Sequence, residues 1–324
     1  MRAIPNTIKL IILILAIGLI YISLAIHYKF FPYHSLRHLY HTYTNPDHEP
    51  WSIGIYKGKT PFHLKPSIDP DGPVLTARDV SDINAVFVAD PFFIEESGSY
   101  YMFFEVLNRI NSQGDIAYAK SDDLINWKYQ KVIINESFHI SYPLVFKWEN
   151  QYYMVPESME DQSIRLYKAI SFPNEWEYLG NLLEGDNFTN PTIFRYNNKW
   201  WMYVNLHRED NLYLYSSDNL EYGWNQHPKS PVMTDNKHHS QNAGRVLLDD
   251  GQIYRFAQDC YPYYGMQVYG IQVHELSDST YKERLVDDLP IIKKSGEGWN
   301  AKGMHHIDLL KINKEWVAVV DGQK

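Results

Sequence analysis

Residues 89–105 read ADPFFIEESGSYYMFFE, and four later stretches share their grammar. These are SYPLVFKWENQYYMVPE at 141–157, TNPTIFRYNNKWWMYVN at 189–205, NAGRVLLDDGQIYRFAQ at 242–258 and HHIDLLKINKEWVAVVD at 305–321. Each is an apolar run, a polar turn and a second aromatic or apolar run, which is the pattern of a β-hairpin. One offset recurs. Asp90 is followed by Glu105, Tyr142 by Glu157, Asn190 by Asn205, Ala243 by Gln258 and His306 by Asp321, every pair 15 residues apart. In an antiparallel hairpin the start of one strand and the end of the next are neighbours, so each hairpin delivers two side chains to the same end. The hairpins recur after 52, 48, 53 and 63 residues, near the period of propeller blades. The fold expected is all-β, a five-bladed β-propeller over residues 51–324 whose hairpin ends line one funnel.

Working outward, the segments GDIAYAKSDDLINW, SIRLYKAISFPNEW and NLYLYSSDNLEYGW read as third strands closing on Trp127, Trp176 and Trp224. Indoles at equivalent places are expected to pack between blades. The last hairpin ends at Asp321, three residues before the terminus, so its blade lacks outer strands. WSIGIYKGKTPFHL at 51–64, with PVLTARDV at 73–80, can supply them and close the ring, removing an exposed edge.

The N-terminal region reads differently. Residues 1–9 form a short tail, and Leu10 to Ile26 is a run of 17 residues without a charge. As a helix it would be about 26 Å long, near the lower limit for crossing a bilayer. The run ends Leu24-Ala25-Ile26-His27, a poor cleavage site, so the reading is an uncleaved transmembrane anchor. Residues 27–50 follow as a juxtamembrane linker. Arg2 and Lys9 before the run place the N-terminus in the cytoplasm and the propeller outside, as a single-pass membrane protein.

The net charge of −9 argues against a nucleic-acid partner, which demands a basic face. A single cysteine, Cys260, excludes an internal disulfide and any CxxC metal site. Aromatic residues make up 15% of the chain, which suits strands and also suits a groove that stacks on sugar rings. No Walker loop, strand-linked GxGxxG or HExxH occurs.

ADPFF, the tyrosine-rich second strand and SDDLINW resemble the five-bladed propellers of the arabinanase- and invertase-like glycoside hydrolases. SYPLVF, YMVPES, KWWMYV, LYSSDNL, HPKSPV, NAGR and FAQDC together resemble the propeller domain of the glucosamine inositolphosphorylceramide transferase family, over nearly all of 51–324. In plant members the transferase chemistry belongs to a separate glycosyltransferase domain, for which these 324 residues leave no room. That resemblance implies a glycan or glycolipid ligand and a separate glycosyltransferase as partner. The hydrolase resemblance puts the general base on Asp90. It places the second aspartate on Asn190 and the general acid near Asn242 and Ala243, positions without a carboxylate. Its blade-five histidine, which holds an ion on the axis, corresponds to His305 or His306. No cofactor is required, and calcium or another ion on the axis is the candidate.

Glycosidic hydrolysis needs a proton donor and a base or nucleophile. The funnel offers Asp90 as base, Glu157 as acid and Glu105 as the neighbour that tunes Asp90. Tyr142, Asn190, Arg245, Gln258, Asp259 and His306 are the candidate groups for substrate hydroxyls. Two functions remain open: a membrane-anchored glycoside hydrolase or transglycosylase acting on a surface glycan, and a non-catalytic module that positions a polysaccharide or glycolipid for a partner enzyme.

Overall fold

The computed structural model describes residues 15–21, 23, 50–68 and 72–324. Residues 15–21 and 23 are helical and exposed. Among the described residues no helix is long and apolar enough to cross a membrane. The rest of the 10–26 anchor and residues 27–49 of the linker lie outside the described residues.

Five antiparallel sheets make up the body. The chain opens with β1 (Trp51–Thr60) and β2 (His63–Pro66). The first blade is β3 (Ala85–Glu96), β4 (Ser99–Asn108), β5 (Gln113–Ser121) and β6 (Lys128–Ile134). The second is β7 (Ser141–Trp148), β8 (Gln151–Glu157), β9 (Ser163–Ser171) and β10 (Glu175–Glu184). β11 (Phe188–Tyr196), β12 (Lys199–Leu206), β13 (Tyr213–Ser217) and β14 (Asn225–Gln226) form the third. In the fourth, β15 (Gln241–Asn242) and β16 (Leu247–Asp249) both pair with β17 (Gln252–Gln258), which leads to β18 (Gln267–Leu276), β19 (Tyr281–Leu285) and β20 (Ile292–Lys293). The fifth joins β21 (Ile307–Ile312) and β22 (Glu315–Gln323) to the opening strands in the order β2-β1-β22-β21. The ring therefore closes with its N-terminal strands, as expected from the truncated last hairpin. β1 runs against β22 from Trp51↔Gln323 to Gly58↔Trp316, and Leu75 bridges Ile53 on the far side.

Apolar side chains of facing strands fill the seams between blades, in four clusters. Trp176 of the second blade meets Phe103 of the first edge-on at 5.7 Å. The indoles of Trp127, Trp176 and Trp224 each donate to a carbonyl shortly before them in the chain, those of Leu124, Pro173 and Leu220. Their shared position in the repeat thus has a shared cause: one face packs in a seam while the ring nitrogen pins its own turn.

The inner strands are bulged where they reach the funnel. Asp90, Tyr142 and Asn190 lie at φ 52, 48 and 48, each followed by proline. The register slips between Ser141 and Leu144 and between Thr189 and Thr192. An extra residue at such a point bends the strand and re-aims its side chain. One correction follows: the residue opposite Glu157 is Ser141, and the one opposite Asn205 is Thr189, so the 15-residue pairs are offset by one in these blades.

Candidate functional site

The hairpin ends converge on a funnel cavity of about 230 Å³, lined by Asp90, Glu105, Glu157, Asn190 and His305 together with Trp51, His139 and Tyr264. The three carboxylates singled out by their position in the repeat are thus brought together.

The ends of the second strands do structural work as well. Asp321 Oδ2 accepts from the Asp90 amide at 3.1 Å, Glu157 Oε2 from the Asn190 amide at 2.9 Å, and Asn205 Oδ1 from the Asn242 amide at 2.9 Å. Each clasps the inner strand of the next blade, giving a partner to an amide at its funnel end. Glu157 uses only Oε2 in this way, leaving Oε1 without a protein hydrogen bond among the described residues.

Burial governs the proton affinities. It pushes Asp90 up to about 6; nearby Asp321 adds to the rise, while His305 and the Tyr142 amide oppose it. Burial likewise lifts Glu157 to about 7, against the pull of the Asn190 amide. Glu105 is held well above the ordinary carboxylate range by burial and by the charges of Asp90 and Glu157. Its Oε1 receives no hydrogen bond of good geometry, and His139 Nε2 stands 3.3 Å away. His139 Nδ1 accepts from the Gly114 amide at 3.0 Å, which puts the ring proton on Nε2, facing Glu105. Gly114 is needed for that contact: a Cβ there would lie 2.7 Å from Glu105 Oε1 and 2.6 Å from the Ile140 carbonyl.

His305 bridges two carboxylates, with Nδ1 2.8 Å from Asp321 Oδ1 and Nε2 3.4 Å from Asp90 Oδ1. Burial works against its charge, yet Asp321 and Asp90 outweigh that penalty and raise its pKa, while His305 in turn lowers that of Asp321. His306 behaves oppositely. Burial lowers it to about 3, so it is a neutral ring wedged edge-on between Phe92 at 4.6 Å and Tyr142 at 5.3 Å.

The axial ion can be tested against these donors. Asp90, His305 and Asp321 bring ligand atoms within 4.8 Å of one another. The oxygens of Asp321, however, already accept from the Asp90, His305 and His306 amides and face His305 Nδ1. Calcium wants six to eight oxygen ligands. This set offers few oxygens and spends them inside the fold, so it does not fit calcium.

The remaining candidates for hydroxyl binding are mostly engaged within the protein. Arg245 makes a two-pronged pair with Asp308 at 2.8 and 3.1 Å and donates to the Val145 carbonyl, stitching the fourth, fifth and second blades. The Tyr142 hydroxyl meets Thr192 Oγ1 and accepts from the Gly244 amide, both at 2.8 Å. Gly244 itself sits where a Cβ would strike the Ile307 carbonyl at 1.8 Å. Gln258 donates to the Asn242 carbonyl. Asp259 accepts from the Tyr261 amide and Gln267 Nε2, and faces His238 Nδ1 at 3.0 Å. Asn190 alone of the non-carboxylate candidates other than His305 lines the cavity. Trp51, His139 and Tyr264 were not legible as site residues, since they lie outside the five hairpin ends.

Residues 44–323 match the sequence profile described as glucosamine inositolphosphorylceramide transferase 1, N-terminal. The chain belongs to this family. It is 32% identical over 305 residues to the glucosamine inositolphosphorylceramide transferase 1 of Oryza sativa subsp. japonica, covering 86% of this chain and 41% of the relative. To the Arabidopsis thaliana protein of the same name it is 30% identical over 298 residues, with 85% and 39% covered. The chain thus spans about two fifths of the length of these curated relatives. Among solved structures it is similar in fold to the catalytic domain of the Coprinopsis cinerea GH62 alpha-L-arabinofuranosidase, with TM-score 0.54, 11% identity, and 84% and 97% of the two chains covered. The alpha-L-arabinofuranosidase from Podospora anserina in complex with cellotriose gives TM-score 0.56 at 10% identity, with 85% and 97% covered.

Proposed function

We propose that this family member is a membrane-anchored, carbohydrate-active propeller that acts as a glycoside hydrolase or transglycosylase on a surface glycan or glycolipid. The observation that carries the reading is the set of three carboxylates at one cavity, Asp90 and Glu105 buried and Glu157 half-buried, with Asp90 near 6 and Glu157 near 7. Around neutral pH, Asp90 is then mostly ionised and Glu157 partly protonated, the division of labour that glycosidic cleavage uses. Asp90 acts as base or nucleophile, and Glu157 gives its proton to the leaving oxygen. Glu105, held well above the ordinary carboxylate range by burial and by the charges of Asp90 and Glu157, is the neighbour that tunes Asp90. His305, whose pKa Asp321 and Asp90 raise against the penalty of burial, stands 3.4 Å from Asp90 as its counter-group.

The uncharged run at 10–26 supports a single-pass anchor with the propeller on the outer face. The relatives named as transferases are more than twice as long as the matched region, so the activity in their name need not reside in this part. The reading includes a glycosyltransferase acting on the same glycan as a functional partner. A second reading rests on Asn190 and on Asn242 and Ala243, which put no carboxylate where the hydrolase resemblance places two of its three. In it the propeller holds a glycan without cutting it.

Asp90→Asn separates the two. Loss of a general base commonly costs roughly a hundred- to ten-thousand-fold in rate while binding changes much less. The purified protein and the variant are to be assayed against a glycan panel for both binding and released product. Product from the parent protein, with binding alone by Asp90→Asn, supports catalysis. Equal product from both refutes Asp90 as base, and glycan binding without product from either leaves the holding module.

A further inference from the structure

The loop after β17 presents rings to water that its sequence neighbours do not bury. Tyr261, Tyr263 and Tyr264 keep 52%, 46% and 57% of their surfaces exposed within a span of four residues. The loop is nevertheless firmly built. Asp259, 3% exposed, closes its base through amide–carbonyl bonds with Gln267 and Met266, and holds the Tyr261 amide on Oδ1. The Cys260 amide ties the loop to the Lys237 carbonyl. A rigid scaffold that spends a buried carboxylate to hold aromatic rings in water has the form of a preorganised binding platform.

The two ends of the loop face different cavities. Tyr264 lines the funnel cavity, its ring edge-on to His305 at 5.2 Å. Tyr261 lines a second cavity of about 410 Å³ with Lys237 and His238. Three residues span at most about 11 Å, so one chain molecule can touch both rings. His238 meets Tyr261 edge-on at 5.6 Å and directs Nδ1 to Asp259 Oδ1 at 3.0 Å. With the proton on Nδ1, Nε2 is left as an acceptor for a hydroxyl, and the ammonium of Lys237, 5.7 Å from the centre of the Tyr261 ring, is a donor lining the same cavity.

We propose that Tyr261, His238 and Lys237 form a second sugar-binding subsite, joined to the funnel along the Tyr261–Tyr264 loop, so that the ligand is an oligosaccharide chain of several units. The aromatic face takes the apolar side of a pyranose ring, while His238 and Lys237 take its hydroxyls. This rests on the reading of the funnel as a glycan site.

The test uses the whole chain on an array of neutral and acidic oligosaccharides from one to six units, followed by titration of the ligands it retains. Tyr261→Ala and His238→Ala are expected to weaken binding of the longer chains about tenfold or more and to leave monosaccharide binding unchanged. Tyr261→Phe, which keeps the ring, should retain most of the affinity. Circular dichroism and melting matched to the parent protein show that the exposed-site variants fold. Longer chains bound equally by the parent protein, Tyr261→Ala and His238→Ala would overturn the subsite alone. Retention of no array member by the parent protein would overturn the glycan reading and the subsite with it.

Discussion

Glu157→Gln tests the electrostatics of the funnel without depending on any substrate. Burial raises the Glu157 carboxyl from its ordinary 4.5 to about 7. At about 1.36 kcal/mol for each pH unit, ionising this group in the folded protein costs roughly 3 kcal/mol more than ionising it in the unfolded chain. The sign follows from proton counts. Between pH 4.5 and 7 the native state holds a proton that the unfolded state has released, so stability falls as pH rises through that window and levels off above it. Glutamine is the neutral isostere, and its carbonyl oxygen can still accept from the Asn190 amide, so the clasp between the second and third blades survives. Glu157→Gln should therefore match the parent protein near pH 4.5 and exceed it by about 3 kcal/mol at pH 8 and above. Urea unfolding across that pH range measures the difference directly. A gap that stays flat with pH, or a variant less stable than the parent protein at pH 8, would refute the assignment of a burial-raised carboxyl to this site.

Other outcomes follow from the same structure. Deleting residues 51–80 removes the strands that cover β22 and should yield an aggregated or unfolded body; a soluble, cooperatively melting product would contradict ring closure. Because the axial set offers few oxygens and those of Asp321 are already spent on protein hydrogen bonds, neither calcium nor a chelator should shift the melting temperature, whereas a rise that scales with calcium concentration would show a bound ion. Arg255 is 1% exposed and grips Glu283 through two nitrogens at 2.6 Å. Arg255→Met should cost about 3–5 kcal/mol in chemical denaturation by stranding that buried carboxylate, and the double change with Glu283→Leu should recover part of the loss.

The five-fold offset made the blades legible because it records hydrogen-bond geometry: a hairpin of fixed length must return to the same end. It also located Asp90, Glu105 and Glu157. The one-residue register error arose at Tyr142 and Asn190, where a left-handed bulge adds a residue that counting along the chain cannot distinguish from a ladder position. The proline after each was the available signal, since it cannot donate to the ladder. His139 and Tyr264 were invisible for another reason. They reach the cavity from loops outside the repeat, and their place depends on contacts as local as the Gly114 amide and as distant as His305. Arg245 was legible as a funnel group, but its pairing with Asp308, two residues after His306, required the blades to be assembled.

The clasps and the candidate chemistry use the same atoms, and that bears on why the funnel retains its acids. A neutral acceptor satisfies the clasp equally well, as Asn205 does for the Asn242 amide. Holding an inner-strand amide therefore does not require a carboxylate at position 157, and it does not require one whose ionisation costs roughly 3 kcal/mol above pH 7. Asp321 differs, because its charge is returned by His305 and its pKa is lowered accordingly. Structural need thus accounts for Asp321 and Asn205 but leaves the acidity of Glu157 unexplained, and Glu105 has no clasped amide among the described residues to account for it. Placing ionisable groups in a desolvated cavity is a cost that proteins sustain where the proton is used. The excess of acidity over what the ring needs, concentrated in Glu105 and Glu157 beside Asp90, is what favours the catalytic reading over the holding module.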